Sequence, residues 1–312
     1  MPRWFASRRR LRKSSALSRR GQSFLEAILV VGLWSSSPPL IKIALGELSP
    51  LQINTVRYGG AALVLLPILW ARSRSSLRKL TRREWVQLAL MGLLGFSLGN
   101  SILYIGLKDL PATTTSFLLN GVPLVTVLLG TWTLGEHPRW LQWCGILIAV
   151  VGGVVFFGAR IELTQAGPIG LSLIGVFLIT VFGLIARALA RSGRIDSISL
   201  TAIPMGFGGL FLLAFIWPLP VPSWSILGIL AWLTFVNSAI AFVLWNHALK
   251  SMQAFEISVT GNLMPIGTAL LAPFLLGEPV SGMAWLGMLI SLVGVILVGY
   301  GGRSVPIKPG MI

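Results

Sequence analysis

The stretch PLVTVLLGTWTLGEHP, residues 123–138, returns as PIGTALLAPFLLGEPV at 265–280, with its proline, threonine, paired leucines and Leu-Gly-Glu at the same spacing. A shift of 142 positions superposes the two. Over 120–152, 14 of 33 positions then match 262–294 without a gap, among them Asn120 with Asn262, Pro123 with Pro265, Thr126 with Thr268, Trp143 with Trp285 and Gly152 with Gly294. Apolar composition alone produces chance Leu and Val matches. It does not produce matched Asn, Pro, Glu and Trp, so the chain is internally duplicated.

Each copy lies in a chain built for lipid. Of the 312 residues, 54% are hydrophobic and 11% charged, where a soluble domain averages roughly 25% charged. That balance places the chain in the membrane class. A helix needs about 20 apolar residues to cross a bilayer core. Ten such spans are predicted, at 24–44, 52–71, 85–107, 112–134, 140–159, 167–189, 198–217, 224–247, 254–276 and 281–300. Barrel strands would alternate polar and apolar residues over about ten positions; these spans are longer and apolar all round. The expected fold is therefore an all-α integral membrane protein of ten transmembrane helices. Five spans per half is odd, so the second half enters the membrane the opposite way up, giving two inverted five-helix repeats, a construction of secondary transporters. The expected boundaries are a basic tail at 1–23, a first repeat at 24–159, a second at 167–301 and a short tail at 302–312.

The net charge of +16 is unevenly placed. With the N terminus inside, 21 of the 25 Lys and Arg fall on the cytoplasmic side or in its tails; only Lys42, Arg57, Lys108 and Arg160 do not. That asymmetry predicts cytoplasmic termini. The basic clusters flank apolar spans and carry no nucleic-acid module, so no nucleic-acid partner is expected. The first 20 residues also have transit-peptide composition, but a cytoplasmic tail is favoured. Cys144 alone cannot form an internal disulfide and reads as a buried inert thiol.

The repeated Gly-Glu has a structural reading. Gly135 and Gly277 can take the left-handed conformation that ends a helix, and Pro138 and Pro279 block its continuation. Glu136 and Glu278 then lie at an interface near the start of the next helix, where the macrodipole favours them; a gate or ion-coupling role is the alternative.

Several segments together, LWSSSPPLIKIAL, SPLQINTVRY, LYIGLKDLPATTTSFLLNGVPL, the two LGE triplets and GMLISLVGVILV, resemble the drug/metabolite transporter superfamily in its ten-helix EamA form, over about 24–301. The resemblance implies a central cavity between two EamA repeats and alternating access. Family members move amino acids, related metabolites, nucleotide-linked sugars and drugs, some by proton exchange. The Arg-rich tail is not part of the pattern. A bacterial inner membrane is the expected location.

Charge within a span is costly, so Lys42 and Arg57 need reasons. Cavity lining and snorkelling compete for both, and pairing with Glu47 is a further route for Arg57. Glu256 could couple transport to protons by titrating between two cavity states, or could be a first-turn carboxylate at a helix N-terminus. Asn100, Asn120, Asn237, Asn246 and Asn262 could orient a solute or stitch helices. Trp34, Tyr104 and Trp245 could wall a cavity. Pro38, Pro39, Pro123 and Pro265 interrupt spans, and matched interruptions in two halves point to a binding site.

The small solute and the lipid bilayer are the expected partners, with a homodimer left open; no cofactor or metal is called for. The motif Gly95-Phe96-Ser97-Leu98-Gly99 matches G-x-S-x-G but lies inside an apolar helix rather than on a nucleophile elbow. Small residues for close helix approach explain it better than an intramembrane enzyme does. A scaffold without flux is a second alternative, disfavoured by the paired interruptions.

Overall fold

The computed structural model describes residues 21–134, 139–158, 165–218, 220–251 and 260–301. Among them there is helix and no strand. In chain order, α1 is Gly21–Ala44. Helix α2 runs from Pro50 to Leu77 as Pro50–Asn54, Thr55–Gly59 and Gly60–Leu77; α3 is Arg82–Asp109. Helix α4 comprises Ala112–Leu118 and Gly121–Leu134, α5 is Trp140–Phe157 and α6 is Ala166–Arg191. The second half continues with α7, Ser197–Leu213, α8, Trp224–Lys250, α9, Met264–Leu276, and α10, Gly282–Gly301. Six of these, α1, α2, α3, α5, α6 and α8, are long and apolar enough to cross a membrane. Each lies on a span expected from the sequence. Gly135, Glu136, His137, Pro138, Arg160, Glu256, residues 1–20 of the basic tail and the tail at 302–312 lie outside the described residues, while residues 21–23 of the expected tail belong to α1.

The outer faces are apolar. On α5, Leu147 and Val154 are about two-thirds exposed and Trp143 half exposed. A contiguous apolar surface of that kind is untenable in water and suits hydrocarbon. Trp140 and Trp224 project at helix starts, 75% and 89% exposed, as in an interfacial belt. Cys144 is half-buried rather than buried.

Small residues set how the helices meet. Helices α5 and α10 pack antiparallel, with Gly145 against Gly294 and Gly152 against Gly287. Between these contacts Ser291 donates to the Ala149 carbonyl at 2.9 Å. A Cβ at any of the four glycines would meet backbone of the other helix. Gly92 likewise approaches the Pro204–Gly208 backbone of α7, and Gly95 and Gly99 abut Phe182 and Ile179 of α6. Ser97 is fully buried and donates to the Gly208 carbonyl at 2.9 Å. The G-x-S-x-G match is thus a helix-packing surface.

Among the described residues three segments widen to π-helical geometry: Thr55–Gly59, Gly92–Gly99 and Trp232–Ile240. The sequence gives no local sign of them. The last two occupy nearly the same positions of α3 and α8 under the 142-residue shift. Widening frees carbonyls that side chains then serve, as when the Asn100 amide donates to the Gly95 carbonyl at 2.7 Å.

At Gly152 a Cβ would be driven into Ser291 and the Gly287 carbonyl, whereas at neighbouring Gly153 it would meet nothing. We expect Gly152→Ala to cost about 1–3 kcal/mol and to lower the thermal unfolding midpoint of the detergent-solubilised protein. Gly153→Ala serves as the control and should leave the midpoint unchanged or slightly raised.

Candidate functional site

Prolines create the site's first requirement. The carbonyl of Ser35 would ordinarily accept from the amide four residues on, but that residue is Pro39, which has no N–H. The helix turns at Ser36 and resumes over Ser37–Ala44. The Ser35 carbonyl is served instead from α9, by the Thr268 hydroxyl at 3.0 Å. Thr268 in turn accepts from Ser116 of α4 at 3.1 Å. Ser35 itself donates to Val31, and at 3.3 Å to the Met264 carbonyl at the start of α9. One chain of hydroxyls therefore ties α1, α4 and α9 together.

All three of these helices are interrupted nearby. Helix α4 turns at Leu119–Asn120 before restarting ahead of Pro123; the chain turns at Asn262–Leu263 before α9 begins with Pro265 in its first turn. The two turns overlap under the shift at the repeat mates Asn120 and Asn262. At the far end of α9, Gly277 adopts φ +67° and its amide reaches the Pro273 carbonyl, the helix stop expected of it.

Beside these breaks lies a cavity of about 300 Å³. Its lining runs from Ile41 and Leu107 at one end to Arg187 and Leu249 at the other. Of the residues singled out from the sequence, it gathers Trp34, Arg57, Asn100, Tyr104, Trp245, Asn246 and Asn262, with Pro38 and Pro123. Trp34 packs at 4.8 Å from Phe242 and 5.0 Å from Trp245, making one aromatic wall. Its indole N–H donates to the Asn237 carbonyl at 2.9 Å. The Asn246 amide donates to Thr201 of α7 at 2.9 Å, so this residue both lines the cavity and joins α8 to α7. Thr115, Thr126, Thr180 and Phe182 also line it; of these only Thr126 stood out in the sequence, and as a repeat mate rather than as a lining residue.

Lys42, Asn120, Asn237, Pro39 and Pro265 stand outside the lining. Asn237 is fully buried, its amide donating to Ser37 at 2.7 Å and Ser36 at 3.2 Å, which fastens α8 to the break in α1. Asn120 is buried in the turn of α4. Lys42 neither snorkels freely nor enters the cavity: its ammonium meets Glu278 at 2.6 Å and donates to the Leu110 carbonyl at 2.6 Å. The other Glu278 oxygen accepts from the Ala112 amide at 2.8 Å. The carboxylate thus serves the start of α4 rather than that of α10. This cluster closes α1, α4 and the end of α9 together, beside Ile41.

Arg57 is the buried charge of the site, with 4% of its surface exposed. It sits on the widened segment of α2. Its Nε donates to Ser238 at 2.8 Å, one terminal nitrogen to Tyr104, and the other to the Asn237 carbonyl at a long 3.5 Å. The guanidinium also lies 4.9 Å from the centre of the Tyr58 ring, a cation–π contact. Among the described residues no carboxylate reaches it. Glu47, the partner considered from the sequence, instead accepts from the amide and hydroxyl of Ser223, at 2.7 and 2.6 Å. Those two bonds hold the Glu47 carboxyl below its ordinary pKa. Hydroxyls, one carbonyl and the Tyr58 ring are thus the partners of this buried charge.

Among the described residues, no group of His, Cys, Asp and Glu could hold a metal. His247 pairs with Glu26 at 2.7 Å, half exposed and away from Ser97's buried setting. The arrangement supplies hydrogen-bond donors, an aromatic wall and one buried cation, which is binding chemistry without a nucleophile–base pair.

The EamA-like transporter family matches the chain twice, over residues 23–158 and 167–300. A transporter of Archaeoglobus fulgidus is 27% identical over 86% of this chain and 94% of its own. A probable terminal-alkyne amino-acid exporter of Streptantibioticus cattleyicolor is 26% identical over 87% and 91%. An S-adenosylmethionine/S-adenosylhomocysteine transporter of Chlamydia trachomatis is 28% identical over 79% of each chain. A solved crystal structure, 21% identical, superposes with a TM-score of 0.65 over 91% of this chain and 96% of that one, and so has the same fold.

Thr268→Val keeps shape but removes the hydroxyl that serves Ser35 and Ser116. We expect a loss of about 1–3 kcal/mol, the cost of stranding buried polar groups, read as a lower unfolding midpoint. Thr126, its repeat mate, bonds only within its own helix, to Val122 at 2.8 Å, and Thr126→Val should cost less than about 1 kcal/mol by the same reasoning.

Proposed function

This chain belongs to the EamA-like transporter family, and from that premise we propose that it is a secondary carrier of small metabolites, working by alternating access between two inverted five-helix repeats. It is an integral membrane protein and not an enzyme. The carried solutes are amino acids or related compounds, the class to which relatives at 24–28% identity are assigned by name, and the direction is export. The observation that carries the reading is the cavity flanked by the breaks of α4 and α9. A volume of about 300 Å³ suits a small metabolite, near the lower end of the usual ligand-pocket range.

The inverted repeat has support from three directions. The family matches each half separately. The π-widened segments of α3 and α8 correspond under the shift. Exchanging repeat mates also turns the contact of Gly145 with Gly294 into that of Gly287 with Gly152, and Ser291 bonds its own mate, Ala149. A two-fold relation between antiparallel helices has its axis across them, that is, in the membrane plane.

Alternating access requires the cavity to be closed at one face at a time. The Lys42–Glu278–Ala112 cluster is the closure beside Ile41, and the surplus of Lys and Arg on the other face supports that end as the extracytoplasmic one. The cavity lining runs to Arg187 and Leu249 near the ends of α6 and α8, which supports a cytoplasm-facing state. To open outward, the cluster must part, and to reset, it must re-form.

Counterflow of a labelled amino-acid mixture in proteoliposomes tests this reading. The wild type should exchange labelled for unlabelled solute above protein-free liposomes, and Lys42→Met should slow exchange at least fivefold. No exchange above the liposome background with any amino acid or deaminated analogue would overturn the carrier reading. Unchanged exchange in Lys42→Met would make the cluster a static tie.

A further inference from the structure

Among the described residues the cavity holds a cation without an anion. Arg57 lines it, is nearly inaccessible otherwise, and has no carboxylate partner among the described residues. A guanidinium has five N–H donors. Three are used by Ser238, Tyr104 and Asn237, which leaves one N–H on each terminal nitrogen. Two such donors match the two oxygens of a carboxylate. Tyr104 accepts from Arg57 through its oxygen, which leaves its O–H to be shared between the neighbouring Tyr58 side chain and a solute, and Tyr104 lines the same cavity. The described lining contains a second cation, Arg187, and no Asp or Glu. Beside these donors stands the aromatic wall of Trp34, Phe242 and Trp245, since the Trp34 indole and Arg57 reach the same Asn237 carbonyl. Thr115, 2% exposed and also in the lining, has a hydroxyl with no partner.

Resting on the reading of this cavity as the solute site, we propose that Arg57 and Tyr104 form a carboxylate-binding subsite, and that the solute is a small organic acid whose apolar or aromatic body packs on Trp34, Phe242 and Trp245. The carboxylate supplies the missing charge and the bidentate acceptor. A positive charge on the solute is not required, because the described lining offers it no anion. Deaminated or N-acylated acids therefore fit as well as free amino acids, and amides of the same body do not.

Three probes with one ring separate these claims: N-acetylphenylalanine, phenylalanine and phenylalaninamide, titrated into the full-length protein in nanodiscs by calorimetry. We expect the two acids to bind within tenfold of each other and the amide at least tenfold more weakly. In Arg57→Gln the three should fall within threefold of one another. Tyr104→Phe leaves the cation in place, which covers the case in which Arg57→Gln does not fold; it should weaken the acids three- to tenfold and leave the amide unchanged. Equal binding of acid and amide, failure of the acids to bind at millimolar concentration, or a Tyr104→Phe loss that falls equally on acid and amide overturns the subsite. Counterflow with the same probes keeps the two readings apart. Selective acid binding without exchange refutes the carrier and upholds the subsite, whereas exchange of the amide as fast as the acids upholds the carrier and refutes the subsite.

Discussion

Hydrocarbon offers no hydrogen bonds, so a helix crossing it may break only where protein groups serve the backbone it exposes. That constraint organises this molecule. Pro39 denies the Ser35 carbonyl its usual partner, and Thr268 of α9 supplies another while accepting from Ser116 of α4. Each break is tolerable because the other two lie beside it. The same meeting prevents the helices from closing over one another, and the space left beside them is the cavity.

Charge obeys the same rule. Lys42 and Glu278 lie 236 residues apart in sequence and meet at 2.6 Å, each neutralising the other and each also bonding backbone at the start of α4. Among the described residues Arg57 has no such opposite. Ser238, Tyr104 and the Tyr58 ring hold its guanidinium in place without cancelling its charge. One cation is thus paired at the end of the cavity beside Ile41 and the other is left facing the cavity.

Much of this was legible in the sequence because it is periodic or local. The spans follow from runs of apolar residues, the duplication from Asn120, Pro123 and Trp143 recurring as Asn262, Pro265 and Trp285, and the helix stop at Gly277 from the Leu-Gly-Glu-Pro run. Trp34, Asn100, Tyr104, Trp245 and Asn246 stood out as polar or aromatic residues inside apolar spans, and the cavity gathers them. What the sequence could not convey is pairing across long separations. Nothing near Glu278 announces Lys42, and its neighbours suggested the start of α10 instead of α4. Ser35, Ser116 and Thr268 are ordinary residues of membrane helices until their hydroxyls are seen to align. The widened segments have no residue signature either: Gly92–Gly99 is glycine-rich, but Trp232–Ile240 is not.

In the inverted-repeat reading, two related halves cross the lipid in opposite senses and bring their breaks together at the cavity. Arg139 and Ser281 are repeat mates just ahead of α5 and α10, and so report directly on it. In a Cys144→Ala background, single cysteines at these two positions can be labelled with a membrane-impermeant thiol reagent in right-side-out and inside-out vesicles. The account predicts that Arg139→Cys reacts from the cytoplasmic side and Ser281→Cys from the opposite one. Reaction of both from one side would contradict it.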